Sequence, residues 1–405
     1  MNLAPGRPLR AHFPIFAAMG GQPFHYLDNG ATGQIVDVAA DALLGFETRS
    51  RANVKRGVYG LADAATVAFD EARASMAAFL GAGSSEEIVF TSGTTMALNI
   101  VAHGLAGELR PGDRIVSSAL EHHSNIVPWQ LAAAPAGAVV HAIPATGEGR
   151  LDLDALAAMV DERTRIVSVT HVSNVTGAVS DIARIRALAP DAILVVDGAQ
   201  RAPHGPLDVQ AMGCDFYALS SHKMFGPTGA GVLWGRGERL DALPPFLGGG
   251  EMIRRVSFDG TSYARPPHRF EAGTPPIGPV LGMAAAARWL MQQDWSAWAA
   301  HEKRLGERLL NGLAAIDGVR MHGPQGLQER LGIVAFEVDG VHAHDVCQML
   351  GDRGVCLRGG HHCAQPLMER FDVAATARAS LAPYSDADDV DALLQGLPEV
   401  IGRLR

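Results

Sequence analysis

The middle of the chain alternates short β-branched runs with alanine-rich stretches of helical period, and few architectures accept that alternation. Strand-like runs fall at 114–119, 138–144, 165–172 and 192–197, and helical patterns at 96–105, 125–134, 153–160 and 182–188. Strands joined by helical crossovers pair in parallel and are covered on both faces. The expected fold is therefore α/β with a mainly parallel sheet. A further strand is expected at 229–236, after a glycine-rich turn. Beyond residue 275 the texture changes. Helical patterns run over 278–293 and 296–316, followed by a strand at 332–338, a helix at 344–352 and a strand in GVCLRGG. This reads as a smaller α+β domain. The segment 243–273 is rich in Gly, Pro and Arg and has little period, so it is expected to reach a partner subunit or cover a site.

Composition narrows the function. The 405 residues are 47% hydrophobic and 19% charged, enough for a large core and unlike a disordered chain. The net charge of −9 leaves no basic excess for nucleic acid. No apolar stretch approaches the length of a membrane span, and MNLAPGRPLRAHFP has no apolar leader core. The four cysteines, Cys214, Cys347, Cys356 and Cys363, form no C-x-x-C pair, so neither a disulfide framework nor a metal site is expected. Reduced thiols suit the cytoplasm.

Several motifs carry chemistry. In SSHKMFGPTGAG, Lys223 follows an apolar strand-like run and enters a Gly/Pro-rich turn. A lysine directed into a site has its pKa depressed and forms Schiff bases. Asp197 ends the strand in VVDGAQ, where α/β sheets bind ligands, one crossover before Lys223. An aspartate facing a pyridinium nitrogen, with a Schiff-base lysine, is the pair that pyridoxal phosphate (PLP) requires. SGTTMALN opens a helix with small hydroxyl residues, which either cap it or hold a phosphate. EHHSNIVPW places two adjacent histidines on a loop without the companions of a metal site. Asn174 in SNVTG either donates to a phenolate oxygen or forms a turn. Cys363 lies in the polar, Gly-rich LRGGHHCAQP, near Arg358, a setting for an exposed thiolate. The other three cysteines read as packing residues. Arg378 in ARASLAPY is either a surface arginine or a bidentate clamp on a carboxylate.

Together these motifs resemble the PLP-dependent cysteine desulfurases of the class V aminotransferase family, most closely the group containing SufS and CsdA. The resemblance runs from YLDNGAT to SLAPYSDADDVDAL, with RGGHHCAQPL its most specific element. It implies a fold-type-I PLP-dependent transferase. A large domain with a mainly parallel seven-stranded sheet spans 26–275, and a smaller α+β domain at 276–405 carries the cysteine loop. Residues 1–25 are expected to pack with the small domain. Lys223 holds the cofactor and shuttles the α-proton, Asp197 pairs with the pyridine nitrogen, and His123 stacks on the ring. Gln200 and Asn174 bond its oxygen side. Thr94, Thr95, Ser220 and His222 hold the phosphate, joined by Thr274 from the other subunit of a homodimer. Arg378 binds the substrate carboxylate, with Arg358 and Asn174 lining the pocket. Cys363 takes the sulfur of L-cysteine as a persulfide and L-alanine leaves. The implied acceptor is a small protein of the SufE type, and the implied outlet is iron–sulfur cluster assembly. The alternative is a selenocysteine lyase or another fold-type-I PLP lyase, which would keep Lys223 and Asp197 but not need Cys363. The chain departs from the pattern at Lys55, Ser92 and Met96, where relatives often carry His, Arg and Glu.

Overall fold

The structure, a computed structural model, describes residues 4–405. The first three residues of the expected N-terminal segment lie outside that range. Seven strands form the main sheet, in the order Ile88–Thr91, Gly231–Gly235, Phe216–Ser220, Ile193–Asp197, Thr164–Thr170, Arg114–Ser118 and Val139–Ile143. Gly231–Gly235 runs antiparallel to both neighbours and the remaining pairings are parallel. The carboxyl ends of Ile88–Thr91, Phe216–Ser220, Ile193–Asp197, Thr164–Thr170 and Arg114–Ser118 therefore share one edge of the sheet. Central strands are buried on both faces, which is why they read as unbroken apolar runs rather than alternating ones.

The expected helices and strands of this region form within a few residues of their predicted bounds. One long helix, Gly60–Leu80, is absent from the sequence reading, although Ala65, Phe69, Ala72 and Met76 recur at helical spacing along its buried face.

The small domain has a four-stranded antiparallel sheet, ordered Val319–His322, Ile333–Val338, Thr376–Ser380, Arg358–Gly360. The helices Trp295–Ala314, Ala343–Gly351 and Ala387–Leu404 pack on it, through Leu309, Leu313, Val346, Leu350, Leu393 and Leu397. The domain boundary differs from the expected one at 276. The helix Ile277–Met291 packs on Asp37–Gly45 and Gly60–Leu80 and joins the large-domain core through Val280, Met283, Ala286 and Leu290. It is apolar on nearly every side, so it needs a full enclosure that the large domain supplies.

The N-terminal segment contacts both domains. Leu9 and Phe13 enter the large-domain core, whereas Arg10 pairs with Asp386 and Asp389 at the start of Ala387–Leu404. His25–Tyr26 then pairs in parallel with Val355–Cys356, and Leu27 joins the small-domain core. The chain thus passes between the domains before the large domain begins. The aperiodic segment contains an exposed hairpin, Ile253–Ser257 with Gly260–Tyr263, whose Val256, Phe258 and Tyr263 face solvent in the isolated chain. Among the described residues, no helix is long and apolar enough to cross a membrane.

Candidate active site

The shared sheet edge opens into a cavity of about 280 Å³ where the two domains meet. Of the expected site residues, Thr94, Thr95, Asn174, Asp197, Gln200, Ser220, His222, Lys223, Arg358, Cys363 and Arg378 line it. His123 and Thr274 do not.

Lys223 ends a short turn, Ser221–Lys223, directly after the strand Phe216–Ser220. Asp197 is the last residue of the neighbouring strand and is 5% exposed. Burial pushes the Lys223 amine down to about 8, against the opposing pull of the Asp197 carboxylate. Burial likewise raises the Asp197 carboxyl, and Lys223 resists that rise. The Ala199 N–H donates to Asp197 Oδ1 at 3.0 Å, fixing the carboxylate at the strand end. An amine near its titration point beside a fixed carboxylate suits carbonyl capture and proton transfer.

One end of the cavity is built for an anion. The 13-residue helix Thr94–Ala106 starts there after Gly93, whose φ of 151° is open to glycine and little else. The Thr94 N–H donates to Ser220 Oγ at 2.8 Å, and the two hydroxyls lie 2.7 Å apart. His222 Nδ1 lies 3.2 Å from Thr32 Oγ1; burial and the nearby Lys223 push this imidazole down to about 4, so it is neutral. A helix N-terminus with two hydroxyls fits a phosphate, Asp197 fits a pyridinium, and Lys223 fits a carbonyl. The donor set therefore fits PLP group by group.

The small domain supplies the opposite wall. Arg378 is 2% exposed; its Nη1 donates to the Asn174 carbonyl at 2.8 Å. The Asn174 amide donates to the His362 carbonyl at 2.7 Å, which ties the large-domain turn to the cysteine loop. In that loop His362 and Cys363 both adopt positive φ, 52° and 54°, and Cys363 is exposed at the cavity mouth. The Cys363 N–H donates to His361 Nδ1 at 3.0 Å. Gln200, by contrast, spends its amide on the Gly30 carbonyl, 2.7 Å away.

The histidine pair is a correction. His122, not His123, stands on the cavity wall. Burial, then Lys223, pushes the His122 imidazole down to about 4. His123 turns the other way: its Nε2 accepts the Gln365 N–H at 3.2 Å, and its backbone N–H donates to the Cys363 carbonyl at 2.7 Å. His122 is the extended residue that caps the short turn His123–Asn125, and the chain bends between the two, so their side chains point to different sides. The sequence reading also missed Thr170 and Gly30 on the wall, and Glu121 behind it. The position of Glu121, next to His122 in EHHSN, was the available signal.

Thr274 is exposed at a separate surface pocket beside Glu47, Arg51 and Asn53. Of the three departures, Lys55 has φ 76° and places Nζ 2.9 Å from His268 Nδ1, Ser92 is exposed, and Met96 packs partly against the core around Leu98 and Val101.

Comparison with known proteins agrees with this geometry. Residues 25–393 match the family model described as "Aminotransferase class-V". The chain belongs to the class V aminotransferase family. It is 46% identical over 401 residues to a probable cysteine desulfurase 2 of Mycobacterium leprae, covering 96% of this chain and 95% of the relative. Among solved structures, it is similar to the cysteine desulfurase CsdA of Escherichia coli, in its S-sulfonic acid form, at a TM-score of 0.90 and 38% identity, with 98% of each chain covered. It is also similar to an apo cysteine desulfurase of Thermococcus onnurineus, at a TM-score of 0.94 and 37% identity, with 100% of each chain covered.

Proposed function

We propose that this protein is a PLP-dependent cysteine desulfurase, a sulfurtransferase that converts L-cysteine to L-alanine and keeps the sulfur as a persulfide on Cys363. The observation that carries the reading is that Lys223 and Cys363, from different domains, line one cavity. Bound there, PLP supplies the electron sink that makes the substrate α-carbon acidic. Arg378 holds the substrate carboxylate with its guanidinium fork. Lys223, once displaced by the substrate amine, removes the α-proton. The Cys363 thiolate attacks the substrate sulfur. The carbon–sulfur bond breaks with its electron pair going to carbon, and an S–S bond forms on Cys363. Two protons complete alanine, one entering at the β-carbon and one returning from Lys223 to the α-carbon. His122 stands where a neutral ring can stack on the cofactor and pass the β-carbon's proton.

The finer assignments are part of the same proposal. Thr94, Thr95, Ser220 and His222 hold the phosphate, Asn174 and Gln200 serve the ring's oxygen side, and Arg358 lines the substrate pocket. Thr274 lies away from its own chain's cavity and completes the partner's phosphate site in a homodimer. The exposed loop of Cys363 hands sulfur to an acceptor protein of the SufE type, for iron–sulfur cluster assembly in the cytoplasm.

The test is to add L-cysteine to the PLP-loaded protein and to Cys363→Ala, measuring alanine and protein-bound persulfide. Alanine formation with persulfide only in the unsubstituted protein is expected. Turnover that survives Cys363→Ala would reassign the protein as a lyase.

A further inference from the structure

Arg358 and Arg378 are direct cross-strand neighbours, in register where Arg358–Gly360 pairs with Thr376–Ser380. Like charges placed opposite each other on a sheet repel. Arg378 is also buried, which lowers its hold on its proton, and Arg358 adds to that effect. A carboxylate from the far end of the sequence offsets both. Asp28 Oδ1 accepts from Arg378 Nη2 at 3.2 Å and from Arg358 Nε at 3.1 Å, and its Oδ2 accepts from Arg358 Nη2 at 2.9 Å. Both arginines stand on the cavity wall and Asp28 does not, so it grips them from behind.

The placement of Asp28 is built from both domains. Asn29 Nδ2 donates to the Ser380 carbonyl at 2.7 Å, and the Gly30 N–H donates to Ser380 Oγ at 2.7 Å. From the large domain, Gln200 holds the Gly30 carbonyl. Gly30 itself lies against the clamp, since a Cβ there would be 3.1 Å from Arg378 Cζ. Arg378 Nε is buried without a partner, so the clamp retains an unspent donor.

We propose that Asp28 is a positioning residue that pairs Arg358 with Arg378 and leaves the carboxylate clamp one net positive charge, matched to a substrate bearing a single α-carboxylate. Two guanidiniums and one carboxylate carry that net charge. Of the other groups at the cavity, Lys223 and Asp197 bear opposite charges, burial keeps His122, His222 and His362 neutral, and the Cys363 thiolate serves the substrate sulfur rather than its carboxylate. The inference rests on the reading of Arg378 as the carboxylate clamp.

The test uses the PLP-loaded enzyme and direct binding of L-alanine and L-aspartate, followed by cofactor absorbance, beside steady-state kinetics. In Asp28→Asn the site carries two uncompensated cations and a looser fork. Loss of the charge-assisted contact to Arg378, the clamp residue, is expected to raise KM for L-cysteine about tenfold with kcat within about threefold. The preference for L-aspartate over L-alanine is expected to rise about tenfold, a change that general loosening would not produce. Asp28→Glu should restore the original preference. Arg358→Met, on an exposed side chain, provides a second route if Asp28→Asn does not fold. It leaves the site without a net cation, so L-alanine affinity should fall about tenfold. Unchanged KM and unchanged preference in Asp28→Asn, or unchanged L-alanine affinity in Arg358→Met, overturns the proposal. Because amino-acid binding is read directly, these outcomes stand apart from whether the unsubstituted enzyme forms a persulfide.

Discussion

His122 and His123 are adjacent in the chain and serve opposite sides of the active site. His122 faces the cavity that holds Lys223, and His123 reaches out to the backbone of the loop that carries Cys363. Substitution should separate the two. His122→Ala removes a ring from the cavity wall and should lower kcat about 100-fold, in the range for a positioned acid or base. His123→Ala leaves the cavity intact and should lower kcat less than about tenfold. Alanine formation under saturating L-cysteine measures both, and a larger effect at His123 would contradict the placement.

Lys223 and Asp197 predict a pH dependence with a definite sign. The amine is neutral above about 8, so covalent recombination of the cofactor-free protein with PLP should accelerate as pH rises through that value. The Asp197 carboxylate favours the ammonium form. Asp197→Asn should therefore move the midpoint to lower pH. Stopped-flow absorbance across a pH series checks it, and an upward shift would contradict the pairing.

Glu271, near the end of the aperiodic segment, forms a buried ion pair with Arg73 of the helix Gly60–Leu80. Nη1 and Nη2 meet Oε1 and Oε2 at 2.7 and 2.8 Å, and the Phe90 N–H donates to Oε1 at 2.8 Å. Although burial alone would raise this carboxyl, Arg73 and the hydrogen bonds hold it down to about 2, below its ordinary 4.5. Its stabilisation is thus present in full above the unfolded-state pKa and is lost as pH falls from about 4.5 towards 2. Glu271→Gln strands the arginine and should cost about 3–5 kcal/mol in chemical denaturation at neutral pH. The gap between the two proteins should narrow in acid.

Glu121 is fully buried, and burial pushes its carboxyl up to about 8. Both oxygens face donors: Thr170 N–H to Oε1 at 2.9 Å and Asn125 Nδ2 to Oε2 at 2.6 Å. Asn125 cannot flip, since its Oδ1 already accepts from Trp129 Nε1 and Ser168 Oγ. The carboxyl proton can turn to the Ser118 hydroxyl beside Oε1, whereas a glutamine would set its amide against one donor or the other, so Glu121→Gln should cost about 1–3 kcal/mol. Thermal denaturation measures the loss. The raised pKa has its own sign: between about 4.5 and 8 the unfolded chain releases this proton and the native one keeps it, so this group's contribution to stability falls with rising pH.

Much of the architecture was legible because its signals are local. The apolar runs at Ile193–Asp197 and Phe216–Ser220 and the helical period at Ile182–Leu188 report burial that each segment needs wherever it lies. Lys223, Asp197 and Cys363 were legible because a reactive group sits in a turn directly after, or at the end of, such a segment. The domain boundary was not, because the helix Ile277–Met291 is apolar enough to suit either core, and only packing assigns it. The choice between His122 and His123 was also closed to sequence, since it depends on the backbone direction of one residue. Asp28 reaches Arg358 and Arg378 across more than three hundred residues. The sequence by itself determined the sheet-and-crossover architecture and singled out the candidate reactive side chains, through hydrophobic period and residue chemistry. Only the tertiary structure decided which side chains face the cavity and which charges meet behind it, because those depend on the docking of two domains with the N-terminal segment laid between them.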